Sequence, residues 1–191
     1  MKPRGQVILI VAFLIMVGLF LLALMVDGGR LYLRRSEAQR AAQAAADAGI
    51  GLVAEQMVTL AVPRQTEAAA RPACVPDGDY GDTGGMCTAT PEPADVAHWL
   101  IDEDRQTLVE PLAQSTVEAL ALNYSELNGF VSTDPQILDL QAQFPHDYQL
   151  EDDNLRLRVL IRRRVVVLLA GILGRDYVDL PAEAFSEVPQ R

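Results

Sequence analysis

The chain has 191 residues, a formal net charge of −10 and only two histidines and two cysteines. Its acidic balance disfavours nucleic-acid binding, because an acidic surface repels phosphate. Few histidines leave few candidate general bases, and the sequence contains no P-loop, GxGxxG, HExxH or GxSxG pattern. We therefore expect neither a catalytic site nor a metal or cofactor site, and we expect no enzymatic activity.

The first strong element is an uncharged apolar run, Val7–Val26, preceded by Lys2 and Arg4. Twenty helical residues extend ~30 Å, which is the thickness of a bilayer core. A secretory signal peptide would have a shorter apolar region and a cleavage site after it, whereas a helical pattern resumes here after Asp27. The run therefore predicts a single membrane-anchoring helix.

An alanine-rich stretch continues this helix to about residue 62, and Pro63 predicts its end. We expect its small residues to allow close approach of other helices. The candidate helix-packing residues are Gly18, Ala41, Ala45, Ala48, Gly49 and Gly51. The predicted domains are thus an anchor and stalk over residues 1–62 and an extracytoplasmic domain over residues 63–191.

The segment 63–94 is a Pro/Gly-rich loop that contains both cysteines, Cys74 and Cys87. A pair of thiols in such a loop suits an oxidising compartment, so we expect a disulfide; two unrelated free thiols are the alternative. Arginines flank the apolar run on both sides, so the positive-inside rule does not set the orientation. The cysteine pair and the acidic head favour a cytoplasmic N-terminus and an external head.

Residues 94–127 show a helical pattern that Pro111 divides, and one short helix is expected around residues 135–141. The contiguous acidic run at residues 102–104 is expected to be a solvated turn. Over residues 154–188 the pattern predicts strand, helix and strand, with the helix at residues 165–173. Alternation in both strands predicts one shared sheet. Its apolar face is expected to comprise Leu155, Leu157, Val159 and Ile161 with Val178, Leu180, Ala182 and Ala184.

On the outer face of this sheet we expect ion pairs between the arginines Arg156, Arg158 and Arg162 and the acids Asp179, Glu183 and Glu187. Pro181 lacks an N–H donor and predicts an edge position or a bulge for the second strand. The fold class is therefore α+β: a long N-terminal transmembrane and stalk helix followed by a small mixed domain.

The N-terminal sequence resembles a known family. It reads Arg4-Gly5-Gln6, the apolar run, Val26-Asp27-Gly28-Gly29-Arg30 and an alanine-rich helix that includes Asp47-Ala48-Gly49. This order is similar to TadE/TadG-like proteins, the pilin-like components of the Flp, or tight-adherence, pilus machinery. The resemblance covers about 55 residues well and, near the C-terminus, about 35 loosely.

The resemblance implies a non-catalytic membrane protein whose partners are pilin-like subunits, the assembly machinery and the lipid bilayer, with no nucleic acid. It also implies a candidate processing site at Gly5 and Gln6. Processed pilins usually carry glutamate at the fifth mature position, where this chain has Ile10. We therefore expect no cleavage. The alternatives are a structural subunit of an extracellular filament or homo-oligomer, and a signal-anchored extracytoplasmic binding domain.

Overall fold

The computed structural model describes residues 4–70, 96–149, 154–167, 174 and 176–189, with side chains from residue 7 onward and none described at residues 69 and 70. A single helix, α1, runs through Arg4–Ala70 for 67 residues. A 3-10 helix at Val96–Trp99 leads to α2 at Asp102–Leu108 and α3 at Pro111–Leu127. Three strands follow: β1 at Ile137–Gln143, β2 at Asn154–Val166 and β3 at Tyr177–Pro189. The predicted α+β class is confirmed.

The strands form one antiparallel sheet in the order β1-β2-β3. In central strand β2 every second side chain from Leu155 to Ile161 is completely buried. Ala182 and Ala184 are the matching buried residues of β3. The predicted pairing of the two C-terminal strands is therefore confirmed, and Pro181 lies in an edge strand as predicted.

The core of the head lies between this sheet, α3 and the C-terminal half of α1. Helix α1 contributes a stripe of small side chains that includes Ala38, Ala42, Ala45 and Ala46, followed by larger ones such as Val53. Spacings of three and four residues place them on one face of the helix. Because alanine projects only a methyl group, the sheet and α3 can both pack close to the α1 backbone. This half of the stalk is thus part of the head rather than a spacer.

Helix α1 continues seven residues beyond its predicted end at Pro63. Proline removes one backbone hydrogen bond, but it does not stop a helix that is held on both sides. Ala61 is buried before Pro63, and Arg64 binds Asp104 after it. Tertiary contacts therefore outweigh the local signal, and the predicted end of the helix at Pro63 was wrong.

The short helix expected around residues 135–141 was also wrong, because Ile137–Gln143 is strand β1. Seven residues are too few for periodicity to separate a helix from a strand. Pairing with β2 decides the conformation, with Asp139 opposite Arg162 and Gln143 opposite Arg158. A register shift between Ile137 and Asp139 marks an irregularity where the strand begins.

The predicted helix at residues 165–173 does not begin where we expected. Val165 and Val166 extend β2 and pair with Val178 and Tyr177 of β3. β-branched side chains suit a strand, which explains why the strand outlasts its alternating segment. Residues 168–173 of that predicted helix lie outside the described residues, as do the loop at 71–95 and both cysteines.

Candidate functional site: the two halves of helix α1

The N-terminal half of α1 has no protein around it in the described structure. Every large apolar side chain from Val7 to Val26 is more than one-third exposed. An 18-residue window within Val7–Ala68 has a mean hydropathy of 3.3, and none of that window is buried. By length and composition this is the one helix among the described residues that could cross a membrane. A helix that is apolar all round requires lipid or other apolar helices around it.

Burial on α1 begins at Asp27, which is only 5% exposed. The next buried residue is Ala38, and from there a continuous buried stripe runs through the alanines to Ala61. Asp27 is also where the apolar run ends in the sequence. The same helix therefore changes from a bare rod into a core element of the head over about three turns, between Asp27 and Ala38.

The predicted helix-packing residues divide between these two environments. Ala41, Ala45 and Gly49 are buried against the chain's own head, and Ala48 is half-buried. Gly18 and Gly51 are exposed, and a Cβ atom at either position would meet nothing within 4 Å. Only these two, with part of Ala48, remain available for another helix.

At Gly49 the sheet packs directly against the backbone of α1. A Cβ atom placed there would lie 2.3 Å from Cδ2 of Leu157 and 3.5 Å from side-chain atoms of Ala121 and Val117. Leu157 is itself fully buried in the centre of β2. The absence of a side chain at Gly49 thus lets β2 and α3 contact the helix together.

The far end of α1 is attached to the head by an ion pair between Arg64 and Asp104. The guanidinium binds both carboxylate oxygens, with Nη2 donating to Oδ1 at 2.8 Å, and Nη1 also donates to the Trp99 carbonyl at 3.2 Å. Asp104 additionally accepts the Ile101 backbone N–H at 2.9 Å and so caps α2. The Arg64 hydrogen bonds hold the pKa of Asp104 below its usual value, and the pKa of Arg64 is raised for the same reason.

Asp104 corrects the expectation that residues 102–104 form a solvated turn. Asp102 is exposed and pairs only with Arg105, but the Asp104 side chain is 8% exposed. The sequence around α2 did contain a local indication that Asp104 is bonded. An acid at the third position of a helix can accept the N–H of the capping residue.

The outer face of the sheet carries a ladder of exposed ion pairs. Arg156 pairs with Glu187 at 2.9 Å, and Arg158 pairs with Glu183, as predicted. Asp179 is bound at 3.4 Å by Arg164 rather than by Arg162, because the register sets Arg164 directly opposite it and Arg162 opposite Pro181. Exposed pairs of this kind contribute only ~0.2–1 kcal/mol each.

No group of three or more potential metal ligands occurs among the residues that the structure describes. The backbone of Gly5 and Gln6 lies in the first turn of α1. Nothing in the described structure bears on cleavage between them, and the cysteine pairing falls in the undescribed loop.

Comparison with known proteins gives a family match that lies within α1. Residues 5–63 match the model of the TadE/G-like Flp pilus-assembly family. The match covers the bare half of α1 and most of the half that packs into the head. No curated protein and no solved structure matches the chain. This family is not a catalytic one, and its description indicates a role in Flp pilus assembly. The segment that is similar to this family, residues 5–63, thus lies within one continuous helix.

Proposed function

We propose that this chain is a membrane-anchored, non-catalytic assembly component of a Flp/Tad-type pilus. It acts through packing of the bare N-terminal half of α1 against helices of other pilin-like subunits. The observation that carries the proposal is the coincidence of the TadE/G-like match with a helix that is apolar all round over Val7–Val26. Pilus components would supply the apolar surface that such a helix lacks within its own chain.

The continuity of α1 supports a mechanical role for the head. The helix has no break between the bare half and the half embedded in the sheet and α3. A displacement or rotation of the membrane segment would therefore be passed directly to the head, and the Arg64–Asp104 pair would hold the distal end against α2. The position of the head would then change whenever the packing of the membrane segment changes.

We also propose the N-in, head-out orientation with a Cys74–Cys87 disulfide and an uncut N-terminus. Retaining Lys2 and Arg4 keeps two charges at the cytoplasmic headgroups, and drawing them through the hydrocarbon would be costly. With Ile10 in place of an acid, an amine created at Gln6 would have no carboxylate to receive it. The chain would then stay in the membrane.

The helix-packing proposal is tested by enlarging the small exposed residue of the bare segment. Gly18→Leu should reduce cross-linking of the full-length chain to pilus subunits in membranes, because a leucine prevents close helix approach there. Ala12→Leu, an exposed residue of the same segment, is the control and should retain cross-linking. Equal cross-linking of both variants would contradict packing at Gly18.

A filament subunit is the second candidate, since the same apolar helix could form a filament core. Intact-mass analysis of membrane and sheared-filament fractions separates the two. The assembly role predicts an uncut chain confined to the membrane fraction. An N-terminus at Gln6 that is abundant in sheared filaments would overturn it and establish the filament subunit.

A further inference from the structure

We propose that Arg30 and Arg34 of α1, together with Arg163 and Arg164 of β2, form a binding site for the phosphate of an anionic phospholipid headgroup. We call these four residues the juxtamembrane arginine site. All four residues line one concave surface between the two elements, with Arg163 in the inward-facing series of β2 and the side chain of Arg164 paired with Asp179. The inference rests on the membrane anchor of the proposed function, but not on any pilus partner.

The site lies at the level of lipid headgroups. Arg30 follows the end of the apolar run at Val26 by four residues, and Arg34 follows it by eight. At 1.5 Å per residue these positions are ~6 Å and ~12 Å beyond the hydrocarbon. The polar zone of a bilayer is about 5–8 Å thick on each side, so Arg30 lies within this zone and Arg34 lies about one helical turn beyond Arg30.

The residues beside the site also suit an interface. Val166, which lines the same surface, and its strand partner Tyr177 are 67% and 47% exposed, so the end of the β2–β3 pair near α1 presents an apolar and an aromatic side chain. Tyrosine is enriched at membrane interfaces because one end of it is apolar and the other polar. The Tyr177 ring also lies 3.9 Å from the guanidinium carbon of Arg164, which holds that arginine in place.

The charges at the site are only half balanced within the described structure. Four arginines line the surface, while Glu37 pairs with Arg34 at 3.0 Å and Asp179 pairs with Arg164 at 3.4 Å. Neither of the other two arginines, at positions 30 and 163, has a carboxylate partner among the described residues. Within the described part of the chain, two positive charges are therefore left without a carboxylate.

Arg163 is the most constrained member of the site. It continues the inward-facing series of β2 that begins at Leu155, so it is partly buried. Its Nη2 donates to Gln136 at 2.9 Å, and its guanidinium stacks over Phe130 at 5.7 Å. Its Nε is buried without a hydrogen-bond partner in the described structure. A charged guanidinium with a buried, unpaired N–H is unfavourable here unless an anion accepts a hydrogen bond from it.

A phospholipid headgroup fits these requirements better than an acidic segment of another subunit. The site is at the height of the lipid phosphates, next to apolar side chains, and arginine forks bind phosphate with paired hydrogen bonds. Basic residues close to an anionic membrane surface are attracted to it. Anionic lipid thus binds where the anchor enters the head.

The test uses the purified full-length chain in a neutral detergent, with thermal unfolding followed by fluorescence of Trp99, the single tryptophan. A ligand of the folded state raises the unfolding midpoint in proportion to its occupancy. Phosphatidylglycerol should raise it, and phosphatidylcholine with the same acyl chains should not. Inorganic phosphate at equal concentration should have little effect, since it lacks the acyl chains that hold a headgroup at the site.

The variant Arg30→Gln/Arg163→Gln should require at least tenfold more phosphatidylglycerol for a half-maximal shift. Arg35→Gln/Arg162→Gln is the matched control, since it removes the same charge from the neighbouring exposed positions of both elements. It should respond like the parent chain. Because Arg163→Gln could disturb the head, Arg30→Gln alone provides an exposed substitution that must also weaken the response.

Four results would overturn the lipid assignment. They are an equal shift with phosphatidylcholine, an equal shift with inorganic phosphate, an equal loss of response in the control variant, and stabilisation that depends on protein concentration rather than on lipid. The second would indicate a free anion site, and the last would indicate an acidic segment of another copy. Because this assay needs no pilus, its failure is separate from failure of the assembly role.

Discussion

Replacement of Gly49 by alanine should destabilise the head, whereas the same replacement at Gly51 should stabilise it. Both glycines lie in α1, two residues apart, and both pay the backbone penalty of glycine in a helix. Alanine restores up to ~1 kcal/mol of helix propensity at either position. The two variants therefore gain the same helix propensity and differ only in the atoms that the new methyl group contacts.

At Gly49 the new Cβ atom would lie 2.3 Å from Cδ2 of Leu157, far inside contact distance, and 3.5 Å from atoms on α3. Leu157 is completely buried, so its methyl group can move only by displacing other core atoms. Overpacking of this kind costs ~1–3 kcal/mol. At Gly51 the Cβ atom would enter open space. The free energies of unfolding of the two variants should therefore differ by ~1–3 kcal/mol.

The assay is chemical or thermal unfolding of the full-length chain in detergent, followed by Trp99 fluorescence. A double variant, Gly49→Ala/Leu157→Ala, provides an internal check on the mechanism. The second substitution removes the clashing methyl group, so the loss caused by Gly49→Ala should be smaller in that background. Equal stabilities of Gly49→Ala and Gly51→Ala would refute the close approach of β2 to the helix.

Three further predictions concern other parts of the chain. Because the pKa of Asp104 is lowered in the folded state, its ion pair contributes stability above the unfolded pKa of about 3.9, and that contribution is lost as the pH falls through the lower folded pKa. Asp104→Asn should therefore lower the unfolding midpoint at pH 7, and the difference in midpoint between this variant and the parent chain should become smaller below about pH 4. The exposed Asp102→Asn is the control, and its unfolding midpoint should change little at any pH. Cys74 and Cys87 should resist alkylation in the native chain until a reductant is added, and immediate labelling detected by intact mass would disprove the disulfide. Pro63→Ala should stabilise the chain by up to ~3 kcal/mol, since it restores a helical hydrogen bond and removes the ring clash; an unchanged or lower unfolding midpoint would contradict a helix that continues through that position.

Long, regular patterns were readable from the sequence. The apolar run Val7–Val26 predicted an anchor helix because its length matches a bilayer, and the alternation that starts at Leu155 predicted a strand with one buried face. The alternation in β3 predicted its pairing with β2, and Pro181 predicted its edge position. These properties depend on local periodicity and on the chemistry of single residues, which the sequence contains in full.

Short segments and isolated charges were not readable in this way. The sequence pattern predicts a helix where strand β1 lies, because seven residues carry too little periodicity. The pairing that decides its conformation is with residues 15 to 26 positions away. The sequence pattern predicts a solvated acid at Asp104, because its partner Arg64 lies 40 residues earlier in the chain. The same pair and the buried Ala61 hold α1 in a helix past Pro63.

Local sequence patterns are enough to establish one membrane-length apolar helix with a small-residue continuation and a paired two-stranded segment near the C-terminus. Packing between distant segments establishes which small residues contact the chain's own head and which remain exposed. Gly49 and Gly51 have equal propensities and nearly the same neighbours along the chain. They differ because β2 and α3 pack on one side of α1 and leave the other side open. Contact across long sequence separations is a property of the folded chain, and no local pattern encodes it.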